Sequence, residues 1–79
     1  MTEQDLFEVV CRHIQEVLPD VEVERIQLDH NMRELGANSI DRMDVVIGVQ
    51  DELGIGVPSE ALSKVHNLRS LVAVLQVHL

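Results

Sequence analysis

The chain has no tryptophan and no tyrosine, and Phe7 is its only aromatic residue. Its core must therefore come from Leu, Ile, Val and Met, which dominate an apolar fraction of 46%. A chain of 79 residues buries only roughly 60% of the surface its unfolded form exposes. One thin-cored domain over residues 1–79 is expected, and its function should lie on the surface rather than in an enclosed pocket. Cys11 stands alone, which excludes an internal disulfide and fits a reducing cytoplasm. It reads as a small buried hydrophobe rather than a reactive thiol. Positive charge is also scarce, with six Lys and Arg against fourteen Asp and Glu and a net charge of −8. Such an excess repels phosphate backbones and anionic lipid, disfavouring nucleic acid and membranes. It favours partners bearing Arg- and Lys-rich patches. No apolar run reaches membrane-spanning length, and Glu3 and Asp5 stand where a signal peptide needs basic residues. The expectation is a cytoplasmic monomer.

What is present is helical periodicity. Leu6, Val10, Ile14, Val17 and Leu18 recur at helical spacing over residues 3–18, with Thr2 as N-cap and Pro19 as the stop. Residues 19–37 carry only scattered apolar side chains, and no second strand exists to pair with the alternation at Val21 and Val23. A long loop pinned by those side chains, with a single turn around residues 31–35, is expected. A second helix runs from Ser39 to Leu53, stopped by Gly54 and Gly56. "VPSEAL" at 57–62 predicts a short third helix capped by Ser59. Asn67 caps a last helix with Leu68, Leu71, Val72, Leu75 and Leu79 on one face. The fold class is all-α: a four-helix bundle, three longer helices and one short third helix, with a long loop between the first two.

At about 100° per residue, the second helix shows two apolar sectors. Val45, Val46, Val49 and Leu53 suit the core. Ile40, Met43 and Ile47 form a second stripe beyond Gln50, with Asp41, Asp44, Asp51 and Glu52 on the remaining arc and Gly48 among them. Either this helix is buried on both sides, or the second stripe is exposed and meets a partner steered by the acids. The flanking aspartates and the net charge favour the partner.

Ser39 heads that helix in "RELGANSIDRMDVV", residues 33–46. One role for it is a helix N-cap, although Asn38 caps equally well one residue earlier. A catalytic nucleophile is disfavoured. "GANSID" is not the G-x-S-x-G elbow, and His13, His30, His66 and His78 are scattered. No metal-ligand spacing occurs. A calcium loop from Asp29 fails on Arg33, Glu34 and Ile40 at its fifth, sixth and twelfth positions. The remaining role is modification by another enzyme. A hydroxyl at a helix N-terminus suits a phosphodiester, and Gly36 and Ala37 are expected to leave the approach uncrowded.

"LGANSIDRMDVV" resembles the phosphopantetheine attachment site of acyl carrier proteins, where L-G-x-D-S-L precedes an acidic, apolar helix. The resemblance spans the whole chain, including the long first loop, "GVPSEAL" and the final "NLRSLVAVL" helix. It implies that Ser39 carries a 4'-phosphopantetheine arm derived from coenzyme A, attached by a phosphopantetheinyl transferase. The arm's thiol would hold acyl groups as thioesters, and the protein itself would catalyse nothing. Ile40, Asp41, Met43, Asp44, Ile47 and Asp51 match the partner-docking face, and Val65 with the start of the last helix matches the mouth of an acyl-sheltering cleft. Two departures stand out: Asn38 replaces the usual Asp, and Arg42 puts a positive charge early in the helix. "GANSIDRMDVV" is most similar to discrete carriers of bacterial polyketide pathways. These include acetyl or malonyl donors of β-branching cassettes, which meet acyltransferases, ketosynthases or HMG-CoA-synthase-like enzymes. A general fatty-acid carrier is the second reading and a helical interaction module the third. Met1 and the capped first helix lead us to expect a discrete carrier rather than a domain cut from a larger synthase.

Overall fold

Each longer helix begins at a reciprocal cap. In the computed structural model, which describes residues 1–79, the chain forms α1 (Glu3–Val17), α2 (Ser39–Leu53), α3 (Ser59–Leu62) and α4 (Leu68–Val77). A 3-10 turn at Val23–Arg25 is the only other regular element, and there is no strand. Thr2 starts α1: the Asp5 amide donates to Thr2 Oγ1 at 3.1 Å, and the Thr2 amide donates to Asp5 Oδ2 at 3.0 Å. The Thr2 amide and then its hydroxyl hold the Asp5 carboxyl below its ordinary pKa. Asn38 and Asn67 cap α2 and α4 with the same reciprocal pair of bonds. Such caps satisfy amides that have no acceptor within the helix.

Leu6, Val10 and Ile14 of α1 are fully buried and pack with Val45 and Val49 of α2 and Leu68, Leu71, Val72 and Leu75 of α4. α1 lies against both α2 and α4, and α3 rests on α4. Cys11 is buried in this core. Burial and then the nearby Glu8 carboxylate raise its pKa, so the thiol stays a protonated hydrophobe.

Several expected boundaries shift. Leu18 is the C-cap of α1 rather than its last turn. α3 starts at Ser59, after Pro58, and no side chain caps it, so Ser59 is a helical residue and Val57 a buried loop residue. Leu79 lies beyond α4 and is exposed, so the apolar face of that helix ends at Leu75. The 3-10 turn at 23–25 has no apolar signature, because neither it nor its flanks bury Val23.

The long connection is pinned as its apolar residues suggested, with Val21, Ile26, Met32 and Leu35 buried. Polar bonds complete the attachment. The first two amides of α4 donate into the loop, Leu68 N to His30 O and Arg69 N to Leu28 O, both at 2.8 Å. Arg69 also reaches Asp29 Oδ1 at 3.0 Å. A turn at residues 32–36 has its own small cap, in which the Glu34 amide donates to Asn31 Oδ1 at 2.8 Å.

Candidate functional site

The segment leading into α2 sets the position of Ser39. Gly36 has φ +98°, a left-handed conformation that side chains disfavour. A Cβ added there would meet nothing within 4 Å. The glycine thus serves the backbone turn rather than clearing a path. Ala37 corrects the sequence reading more directly: it is 6% exposed and belongs to the core. Asn38 is the N-cap. The Asp41 amide donates to Asn38 Oδ1 at 2.8 Å, and the Asn38 amide donates to Asp41 Oδ2 at 3.1 Å. An amide oxygen accepts here as a carboxylate would, so Asn38 keeps the cap without the charge.

Ser39 is then the first residue of α2, exposed, with its side chain free of capping duty. Its one side-chain bond comes from Arg42, whose Nη2 donates to Oγ at 3.3 Å. A guanidinium cannot accept a proton, and no histidine ring is bonded to the hydroxyl. His13 pairs with Glu52, His30 and His78 bond backbone carbonyls, and His66 lines the same cleft as Ser39 without a hydrogen bond to it. The serine has no base hydrogen-bonded to it.

The two sectors of α2 separate in space. Val45 and Val49 are buried, and Val46 and Leu53 pack partly against the core. Ile40 is 72% exposed, Met43 62% and Ile47 49%. A helix buried on both sides does not fit these values. Asp44 and Asp51 are exposed on the same helix, while Asp41 is half-buried and spends its carboxylate on the cap.

A cleft of about 710 Å³ opens beside this face. Met43, Val46 and Ile47 line one wall, Leu62, Val65 and Leu71 the other, and Ser39 shares it with Arg33 and Arg42. Val65 and the start of α4, singled out in the sequence, do line it. An exposed hydroxyl bonded to one guanidinium, in a partly apolar cleft that a second arginine also lines, could hold a covalent phosphodiester with a slender chain behind it.

Some contributors were not visible in the sequence. Gln50, which merely separated the two sectors on the helical wheel, accepts the Val57 amide at 2.8 Å and ties the loop before α3 to α2. His13, which the sequence showed only as one of four scattered histidines, joins Arg12 in binding Glu52 across the α1–α2 contact: Arg12 Nη2 lies 2.7 Å from Oε2 and His13 Nε2 2.8 Å from Oε1. The Arg12 bonds, then the His13 bond, lower the Glu52 pKa to about 2. Only Gly48, isolated in a helical pattern, hinted at a close contact there.

Residues 8–75 match the family described as "Phosphopantetheine attachment site". The polyketide biosynthesis acyl-carrier-protein AcpK of Bacillus subtilis (strain 168) is 37% identical over 95% of this chain and 92% of its own length. An acyl carrier protein of Guillardia theta is 33% identical over 91% of this chain and 89% of that one. The fold is shared with a chain in the crystal structure of the curacin biosynthetic pathway HMG synthase in complex with acetyl donor-ACP. The TM-score is 0.85 at 19% identity, covering 95% of this chain and 96% of the other.

Proposed function

The chain belongs to the phosphopantetheine-binding acyl carrier proteins, and from that premise we propose that Ser39 is the residue bearing its covalent 4'-phosphopantetheine. The observation that carries this assignment is an exposed, base-free hydroxyl at the head of α2, between the exposed apolar stripe and the cleft. Ser39 Oγ forms a bond to phosphorus of coenzyme A, the pyrophosphate linkage breaks and the nucleotide half leaves. The hydroxyl proton passes to a base of the phosphopantetheinyl transferase, since no base of this chain is bonded to the hydroxyl. When bound, the group supplies a thiol that holds acyl units as thioesters. The chain's own part is to present and orient. It catalyses no step and raises the local concentration of its cargo at a partner's active site.

Ile40, Met43 and Ile47 give partners an apolar contact, and Asp44 and Asp51 steer them through their basic patches. Asp41 contributes charge at the rim while capping α2. Similarity to AcpK supports a polyketide pathway for the cargo. "GANSIDRMDVV" extends that reading to the acetyl or malonyl donor of a β-branching cassette with an HMG-CoA-synthase-like partner. A chain of the same fold is seen in complex with an HMG synthase.

The test is intact mass after incubation with coenzyme A and a broad-specificity transferase. One phosphopantetheine addition is expected on the wild-type protein and none on Ser39→Ala. Addition persisting in Ser39→Ala would move the site elsewhere.

A further inference from the structure

We propose that Arg42, with Arg33 lining the same cleft, is a clamp that holds the phosphodiester formed on Ser39 and lays the arm along that cleft. This rests on Ser39 being the attachment point. The Arg42 guanidinium lies 3.3 Å from Ser39 Oγ, beyond the ordinary N–H···O range and against a neutral acceptor. A phosphodiester on that oxygen would place anionic oxygens two bonds further out, within reach of the same planar fork. The contact then becomes charge-assisted and two-pronged.

The placement of the unpaired cations makes this arrangement informative. Arg12 and Arg69 are engaged with Glu52 and Asp29. Arg25, Arg33, Arg42 and Lys64 bind no carboxylate, although acids outnumber bases fourteen to six, and of these four only Arg33 and Arg42 line the cleft of Ser39. The carboxylate nearest in sequence to Arg42, that of Asp41, is spent on the Asn38 cap. Arg42 comes from α2 and Arg33 from the turn at 32–36, yet both line the cleft that Ser39 lines, whereas Asp44 and Asp51 do not. Two unpaired arginines thus line the cleft of one hydroxyl in an otherwise acidic molecule, and Arg42 is bonded to that hydroxyl. A cation in the first turn of α2 is unfavourable for the helix, so the same geometry makes attachment of an anion stabilising.

The experiment compares melting temperature and the 31P resonance in apo and holo forms of wild type, Arg42→Gln, Arg42→Lys and Arg33→Gln, at low salt. Loading is confirmed by intact mass. Arg42 is exposed, so its substitution leaves the fold in place. Loading should raise the wild-type melting temperature by about 4 °C. Arg42→Gln should lose most of that rise and shift the 31P signal towards that of a free phosphodiester. Arg42→Lys should restore only part, since lysine lacks the fork, and Arg33→Gln should show a smaller loss. A rise and a 31P signal unchanged in Arg42→Gln would overturn the clamp while leaving the attachment site intact. Wild-type protein that takes up no phosphopantetheine would overturn both. If the transferase refuses Arg42→Gln, the wild-type holo protein decides: a rise unaffected by about 1 M salt, where screening is nearly complete, overturns the clamp.

Discussion

Gly48 sits in the middle of α2, where no turn is made and no positive φ is needed. Glycine in a helix interior costs roughly 1 kcal/mol relative to alanine. Its role is space, because a Cβ there would lie 2.7 Å from Nδ1 and 3.1 Å from Cε1 of His13. The His13 side chain is only 15% exposed and reaches Glu52 from this position. Gly48→Ala therefore sets helix propensity against the seat of the imidazole. In the wild-type background the substitution should bring no gain in stability. In His13→Ala the same change should stabilise by about 1 kcal/mol. Urea unfolding of the four proteins measures both effects, and equal effects in the two backgrounds would show that the ring is not the reason for the glycine. The lone glycine was legible as an oddity in the sequence. Its partner was not, because which helix faces Gly48 is settled by packing rather than by local spacing.

Within α2, residues two apart behave oppositely. Val45 is fully buried and Ile47 is half exposed, on the sector shared with Ile40 and Met43. The same substitution separates them. Val45→Asp would bury a charge with no partner, which exceeds what so small a domain can absorb, and circular dichroism should show an unfolded chain. Ile47→Asp should leave the melting temperature within the range of ordinary surface changes, about 0.5 kcal/mol, while slowing loading by the transferase or transfer to a partner enzyme. A strongly destabilised Ile47→Asp would return that stripe to the core. Periodicity carried this element well, since both sectors and the Asn38 cap could be read from spacing and residue type. It carried α3 poorly. Four residues after a proline, with no side-chain cap, leave too little pattern to fix a start, so Ser59 looked like a cap when Pro58 precedes the helix. The groove between α2 and α4 and the two arginines that line it are tertiary facts. Arg33 and Arg42 belong to different segments, and the buried turn at Met32 and Leu35 sets Arg33 on the cleft that Arg42 also lines.

At the scale of the whole molecule, acid acts on two quantities with opposite consequences. The protein carries a net charge of −8, so lowering the pH first relieves self-repulsion. It also removes carboxylates that hold the bundle together, and Glu52 is the one that joins α1 to α2 through Arg12 and His13. Its folded pKa is lowered from 4.5 to about 2, chiefly by the Arg12 bonds and next by His13. A depressed folded pKa means the unfolded chain takes up the proton first as pH falls. The stability Glu52 contributes is thus fully present above pH 4.5 and is lost between there and about 2. Asp5, lowered by Thr2, acts in the same direction at the start of α1, so the wild-type profile alone cannot isolate Glu52. Glu52→Gln can. Its melting temperature should fall below wild type at neutral pH, by a modest amount because the pair is solvent-exposed. The gap should then narrow steadily from pH 4.5 downward and close near pH 2. A gap constant across that range would mean that the Arg12–Glu52–His13 bridge holds α1 and α2 by its packing alone, with its charge contributing nothing.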